Sequence, residues 1–220
     1  DIAGYRGVSK KADIDALVTT VKSKYGYDMG GYADNAETVS SKRLATKLDW
    51  NINANGTGLE AAPAGNNLAS GTHAIAAGQS DTASGANSAV LGGLQNKASG
   101  TESFVGGGEG NKATGNNSVV TGGLQNRASG SLSFVGAGEL NQVTGNNSFI
   151  GTGTNTSTVS GDYSGILVGD NSSVSSDYSI ILGGYDHGIT SGSHYSTILG
   201  GHSNSITALG SIVGGIENSA

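Results

Sequence analysis

Aligned on glycine, the chain beyond residue 71 repeats with a period of about fifteen residues. Taking Gly85–Ser99 as the reference coil, further coils start at Gly100, Gly115, Gly130, Gly145, Gly161, Ser176 and Ser193. Gly71 opens a shorter coil and Ala208 an incomplete last one, with one residue inserted before Gly161 and two, Ser191 and Gly192, before Ser193. Position 6 is always β-branched: Val90, Val105, Val120, Val135, Ile150, Ile166, Ile181, Ile198. A second apolar column at position 14 holds Ala98, Ala113, Ala128, Val143, Val174, Ile189 and Ile206. Ser fills position 4 (Ser88 to Ser196) and Gly fills position 9 (Gly93 to Gly201). β-branched residues favour strands, and a Gly at a fixed place marks a corner with positive φ or a close backbone approach. Each coil therefore reads as strand, corner, strand, corner. The fold expected for 71–220 is all-β, a parallel β-solenoid (β-roll) of ~15-residue coils. About ten coils spaced by about 4.8 Å make a rod of about 45–50 Å. One coil cannot bury its apolar column alone, so the stack is cooperative.

The outward positions of the first strand are not polar. Side chains alternate faces along a strand, so if position 6 points in, positions 5 and 7 point out together. Phe104, Phe134 and Phe149 at position 5 are followed by Gly106, Gly136 and Gly151 at position 7. Smaller residues at position 5 are followed by Leu91, Leu167, Leu182 and Leu199. Such volume trading belongs to a packed surface, and a strand buried on both faces needs a second body. The expected cover is another copy of the chain, with Phe104, Phe134, Phe149, Leu167, Leu182 and Leu199 as interface residues.

Residues 1–70 follow another pattern. Ile14, Leu17, Val18 and Val21 fall at i, i+3, i+4 and i+7 and predict a short amphipathic helix ending near Gly26. Alone it is marginal, which fits a short coiled coil or a capping turn. A weaker helical segment covers about Val39 to Leu48, and 51–71 reads as a Gly/Ala/Asn-rich linker. Two parts result, a helical or irregular segment 1–70 and a repeat domain 71–220.

Charge and composition narrow the function. Gly occurs 39 times without a Gly-X-Y period, which excludes collagen, and Cys is absent, so no disulfide framework or thiolate metal site exists. No apolar run approaches the roughly 18 residues of a membrane-spanning helix. The opening Asp1-Ile2-Ala3 has neither an initiator Met nor a signal-peptide pattern, as expected of a fragment or processed product. All 11 Lys and Arg lie before residue 128, so the second half has no basic footprint for nucleic acid, polyanionic sugar or anionic lipid.

The pattern Gly-x-x-Ser-x-Val-x-Gly-Gly-x-x-Asn-x-Ala-Ser resembles the head repeats of trimeric autotransporter adhesins. It is closer still to a variant in bacteriophage tail-fibre proteins, matched by 85–100 and by Ser179-Ile180-Ile181-Leu182-Gly183-Gly184. Asn35-Ala36-Glu37-Thr38 and Leu44-Ala45-Thr46-Lys47-Leu48 also resemble phage fibre segments. The resemblance covers about two-thirds of the chain. It implies a left-handed β-roll homotrimer and a receptor-binding fibre segment of a virion. The partners it implies are other tail-fibre proteins and a host surface glycan or outer-membrane receptor. The spacings of 16 and 17 residues after residue 145 depart from the pattern, and a bacterial surface adhesin head is the alternative setting.

Sites of chemistry are scarce. Gly106–Thr114 looks superficially like a phosphate loop, but Asn111 stands where Gly must precede Lys112. The four His (His73, His187, His194, His202) lack zinc spacing, so no cofactor or metal is expected, an axial site in a trimer aside. Ser is a column of small residues rather than a nucleophile motif, and no catalytic residue is expected. Asp162, Asp170, Asp177 and Asp186 could pair across subunits as in a polysaccharide depolymerase, or simply favour turns. The Asn column (Asn96, Asn111, Asn126, Asn141) reads as a hydrogen-bonding ladder. Position 3 changes character, from Asn87, Glu102, Asn117 and Asn147 to Tyr163, Tyr178 and Tyr195. With His194, Tyr185, His187 and His202 nearby, these aromatics suit carbohydrate, whose C–H faces stack on rings. A structural tyrosine ladder is the competing explanation.

Overall fold

The computed structural model describes Trp50–Ile52, Leu59–Ala61 and residues 66–220. The helices expected at 14–21 and 39–48 lie outside the described residues. The rest is an all-β parallel solenoid of about ten turns. One sheet has 12 strands and the other 10. Within the coils the first sheet is built from positions 5 and 6, the second from positions 13 and 14. Registers run straight up the stack: Val90, Val105, Val120 and Val135 pair in sequence, as do Ala98, Ala113, Ala128 and Val143 across the coil. Both files are almost wholly buried and face each other as a single narrow core. Its side chains grow along the chain, from Ala98 and Val105 to Ile189 and Ile198.

Regular structure begins before Gly71. Trp50–Ile52 pairs antiparallel with Leu59–Ala61, which joins the first sheet beside Ile75–Ala76. Leu68–Ala69 starts the second sheet against Thr82–Ala83. The segment expected as linker thus contributes strands, and its Gly/Ala-rich composition hid them.

Glycine acts in two distinct ways. At position 9, Gly93, Gly108 and Gly123 have φ of 100°, 87° and 95°, a left-handed corner. At position 1, Gly85, Gly100 and Gly115 have ordinary φ but no room. A Cβ on Gly100 would lie 1.9 Å from the carbonyl oxygen of Gly115 in the next coil.

The Asn column sets a hydrogen-bonding rule. Asn96 Oδ1 accepts the backbone N–H of Asn111, while its Nδ2 donates to the carbonyls of Gly92 and Gly108 at 3.0 and 2.9 Å. Asn111 and Asn126 repeat this. Any residue here must accept on one side and donate on the other. Ser172 does so, accepting from His187 N and donating to Asp170 O. Asp81, which follows Asn67 in the column, accepts from Asn96 N on Oδ1, but its buried Oδ2 has no partner. That oxygen occupies the place where Asn96 and Asn111 carry a donating amide, and its burial without a donor disfavours the charged carboxylate. Burial accordingly raises the Asp81 pKa. Its neighbours Asn67, Asn96, Gly78 and Gly93 carry no charge.

His187 is the opposite case. Its Nδ1 accepts from Asn204 N at 3.1 Å and cannot also carry a proton. Burial lowers its pKa, helped by His202 and opposed by the Gly183 and Gly201 carbonyls and by Asp186. The signs follow by linkage. Asp81 contributes fully only below about pH 4, and stability falls as pH rises through its raised pKa. His187 contributes fully above about pH 6.5, and stability falls as pH drops toward its lowered pKa. Asp81→Asn should therefore raise the melting temperature at neutral pH, with the gain shrinking toward pH 4. His187→Asn should do the reverse and flatten the loss below about pH 6. Thermal melts across pH check both, and an Asp81→Asn melting temperature equal to wild type at pH 7 would contradict a cost of burying this carboxyl.

Candidate functional site

The residue at position 3 of each coil is left-handed: φ is 56° at Asn87, 54° at Asn117 and 53° at Asn147. Asn suits that region, because its short side chain tolerates it. Tyr163, Tyr178 and Tyr195 take the same conformation, with φ of 52°, 54° and 60°. Each backbone N–H donates to the carbonyl at position 2 of the preceding coil, as in Tyr178 to Asp162 at 3.0 Å. A bulky residue in this region costs of order 1–2 kcal/mol. Stacking returns about 0.5–1.5 kcal/mol per aromatic pair. Three such residues form only two stacked pairs, so stacking does not outweigh the backbone cost and the scaffold gains nothing from tyrosine over the asparagine of earlier coils. Leu132 and Glu102, also left-handed, show that the corner tolerates side chains it does not favour.

The three rings form a regular stack. Tyr163 and Tyr178 are 5.2 Å apart with planes 2° from parallel, and Tyr178 and Tyr195 are 5.2 Å apart at 10°. All three are at least half exposed. His194 meets the edge of Tyr195, centroids 6.5 Å apart. Beside the rings runs a ladder at position 2. Asn146 N donates to Asp162 Oδ1, Asp162 N to Asp177 Oδ1, and Asp177 N to His194 Nδ1. These acids thus brace the corner and supply its negative charge. His194 Nδ1 lies 3.8 Å from Asp177 Oδ2.

A shallow groove of about 350 Å³ lies between this stripe and position 5, lined by Phe149, Tyr163, Tyr178 and Ile180 with Asn147, Ser164, Gly165 and Ser179. The Phe149 ring lies over Gly165, where a Cβ would come 2.3 Å from its Cε1. This is a trade between position 5 of adjacent coils; the trade between positions 5 and 7 appears at Gly136, where a Cβ would meet the Phe134 ring at 3.3 Å.

The other expected ligand residues do not join the stripe. Tyr185 and His202 stack on each other at 5.0 Å and 6°, but they belong to position 10, a different corner. His187 is 2% exposed and belongs to the Asn column, so its ring is a structural element rather than a surface ligand contact. Counting fifteen residues on from Ser172 would have placed it there. Among the interface candidates, Phe134, Leu167, Leu182 and Leu199 are exposed, while Phe104 and Phe149 are half-buried. Among the described residues, no three His, Asp or Glu side chains gather as a metal site would require. No known protein-family model matches the chain, and no curated protein matches it.

Proposed function

We propose that this chain is a non-enzymatic segment of a homotrimeric virion tail fibre that attaches a phage to its host, with Tyr163, Tyr178 and Tyr195 as the carbohydrate-contacting stripe. The observation that carries the reading is the exposed tyrosine stack on left-handed backbone, where the scaffold's own preference is asparagine. Stacked at 5.2 Å, the rings cover one another's faces, so the stripe offers a sugar chain a row of ring edges and phenol hydroxyls. The flanking Asp162 and Asp177 favour neutral or amino sugars over phosphorylated ones. The repeat pattern, which resembles phage fibre repeats, supplies the setting. The exposed apolar rows at positions 5 and 7 support assembly, since contiguous surfaces of this kind mark interaction sites.

Tyr178→Ala combined with Tyr195→Ala tests the stripe. The double variant should lose binding to host cells, read by fluorescence of the labelled protein. Its melting temperature should stay within a few degrees of wild type, because the rings are at least half exposed and the core files are untouched. Full cell binding would remove the stripe from the function. Lost binding with a collapsed melt would make the stack structural.

A further inference from the structure

We infer a second, chemically distinct binding surface on the opposite sheet: a cationic stripe of Lys97, Lys112 and Arg127 that takes a linear polysaccharide bearing one carboxylate per sugar. These three are the only Lys or Arg among the described residues, and all three stand at position 13 of consecutive coils. They are direct register partners, Lys97 with Lys112 and Lys112 with Arg127. Each is exposed, with its neighbour at position 14 buried. Among the described residues none of them forms an ion pair. Like charges placed directly opposite in a sheet oppose folding. Nothing in the fold demands charge here, since the same column continues with Gln142, Thr158, Ser173 and Ser205.

The surroundings select the ligand. The flanking positions carry Gln95, Gly110 and Gln125 on one side and Ser99, Thr114 and Ser129 on the other. These amides and hydroxyls suit sugar hydroxyls. They offer no aromatic face on which a nucleic-acid base would stack and no apolar row to enter a membrane. The cations recur at the strand spacing of about 4.8 Å, near the length of one sugar unit in an extended chain, so a polyuronate can place successive carboxylates on successive coils. The sheet is open along this face, which fits a polymer better than a compact anion.

The test uses the full chain with immobilised polygalacturonate, neutral dextran and duplex DNA as probes. Wild type should bind polygalacturonate, not dextran, and should bind DNA at least tenfold more weakly. Raising ionic strength from about 0.1 to about 1 M, which shortens the screening length from about 10 to about 3 Å, should abolish binding. Lys97→Glu, Lys112→Glu and Arg127→Glu together should weaken it at least tenfold. Gln142→Lys, which lengthens the stripe by one step, should tighten it severalfold. The Tyr178→Ala, Tyr195→Ala variant should bind polygalacturonate like wild type, which separates this surface from the tyrosine stripe. No binding by wild type, salt-insensitive binding, equal affinity for DNA, or an unchanged charge-reversal variant of native melting temperature would each overturn the inference.

Discussion

Gly100→Ala is expected to disrupt the stack by about 3 kcal/mol or more, at or beyond the upper end of ordinary overpacking. The new methyl carbon would sit 1.9 Å from the Gly115 carbonyl oxygen and 2.5 Å from its carbon. Both obstacles are backbone, so no rotamer change relieves them. Gly115 is itself held against Gly130 by the same close approach, so any shift passes to the next coil. Gly92→Ala is the matched control, because a Cβ there has nothing within 4 Å. Gly92→Ala should be neutral or slightly stabilising, since it removes freedom from the unfolded chain. Urea midpoints of the two variants measure the difference directly. Equal midpoints would mean that the coils stand further apart than described.

Val120→Asp is the second large effect. Val120 is fully buried in the first file, paired with Val105 and Val135. Removing it forfeits roughly 1.5–3 kcal/mol of burial, and the carboxylate brings a desolvation penalty with no cation to meet it. The core is one side chain thick, so the acid cannot turn to solvent without opening the coil. Lys97→Asp, on the exposed face of the second sheet, should leave the melting temperature nearly unchanged. Similar losses in both variants would mean that inside and outside are assigned wrongly.

The two buried files were legible in the sequence because a β-branched or small residue recurred at one place in every coil. The left-handed glycines at position 9 were legible for the same reason. Strand alternation then placed the Phe and Leu rows outside. The left-handed backbone at position 3 was harder to read. Asn87 and Asn117 signal it, but Glu102, Leu132 and the tyrosines adopt it against their preference, held by the coils on either side. Asp81 escaped because its coil is one residue short. Counted back from Gly85, it falls in the same column as Asn96 counted back from Gly100. His187 was grouped with the surface aromatics by proximity in sequence, although column position decides burial in a solenoid. The ladder of Asp162, Asp177 and His194 was harder to see than the Asn ladder, since its column changes residue type from coil to coil.

A fibre segment requires that other copies cover the row formed by Phe134, Leu167, Leu182 and Leu199. The direct measurement is solution mass by light scattering at micromolar concentration, for wild type and Phe134→Asp. Three copies of the 21.7 kDa chain are expected for wild type. Phe134→Asp should dissociate, because it places a charge in a dry interface. A wild-type mass of a single chain, or a Phe134→Asp variant with wild-type mass and unchanged melting, would contradict the proposed assembly.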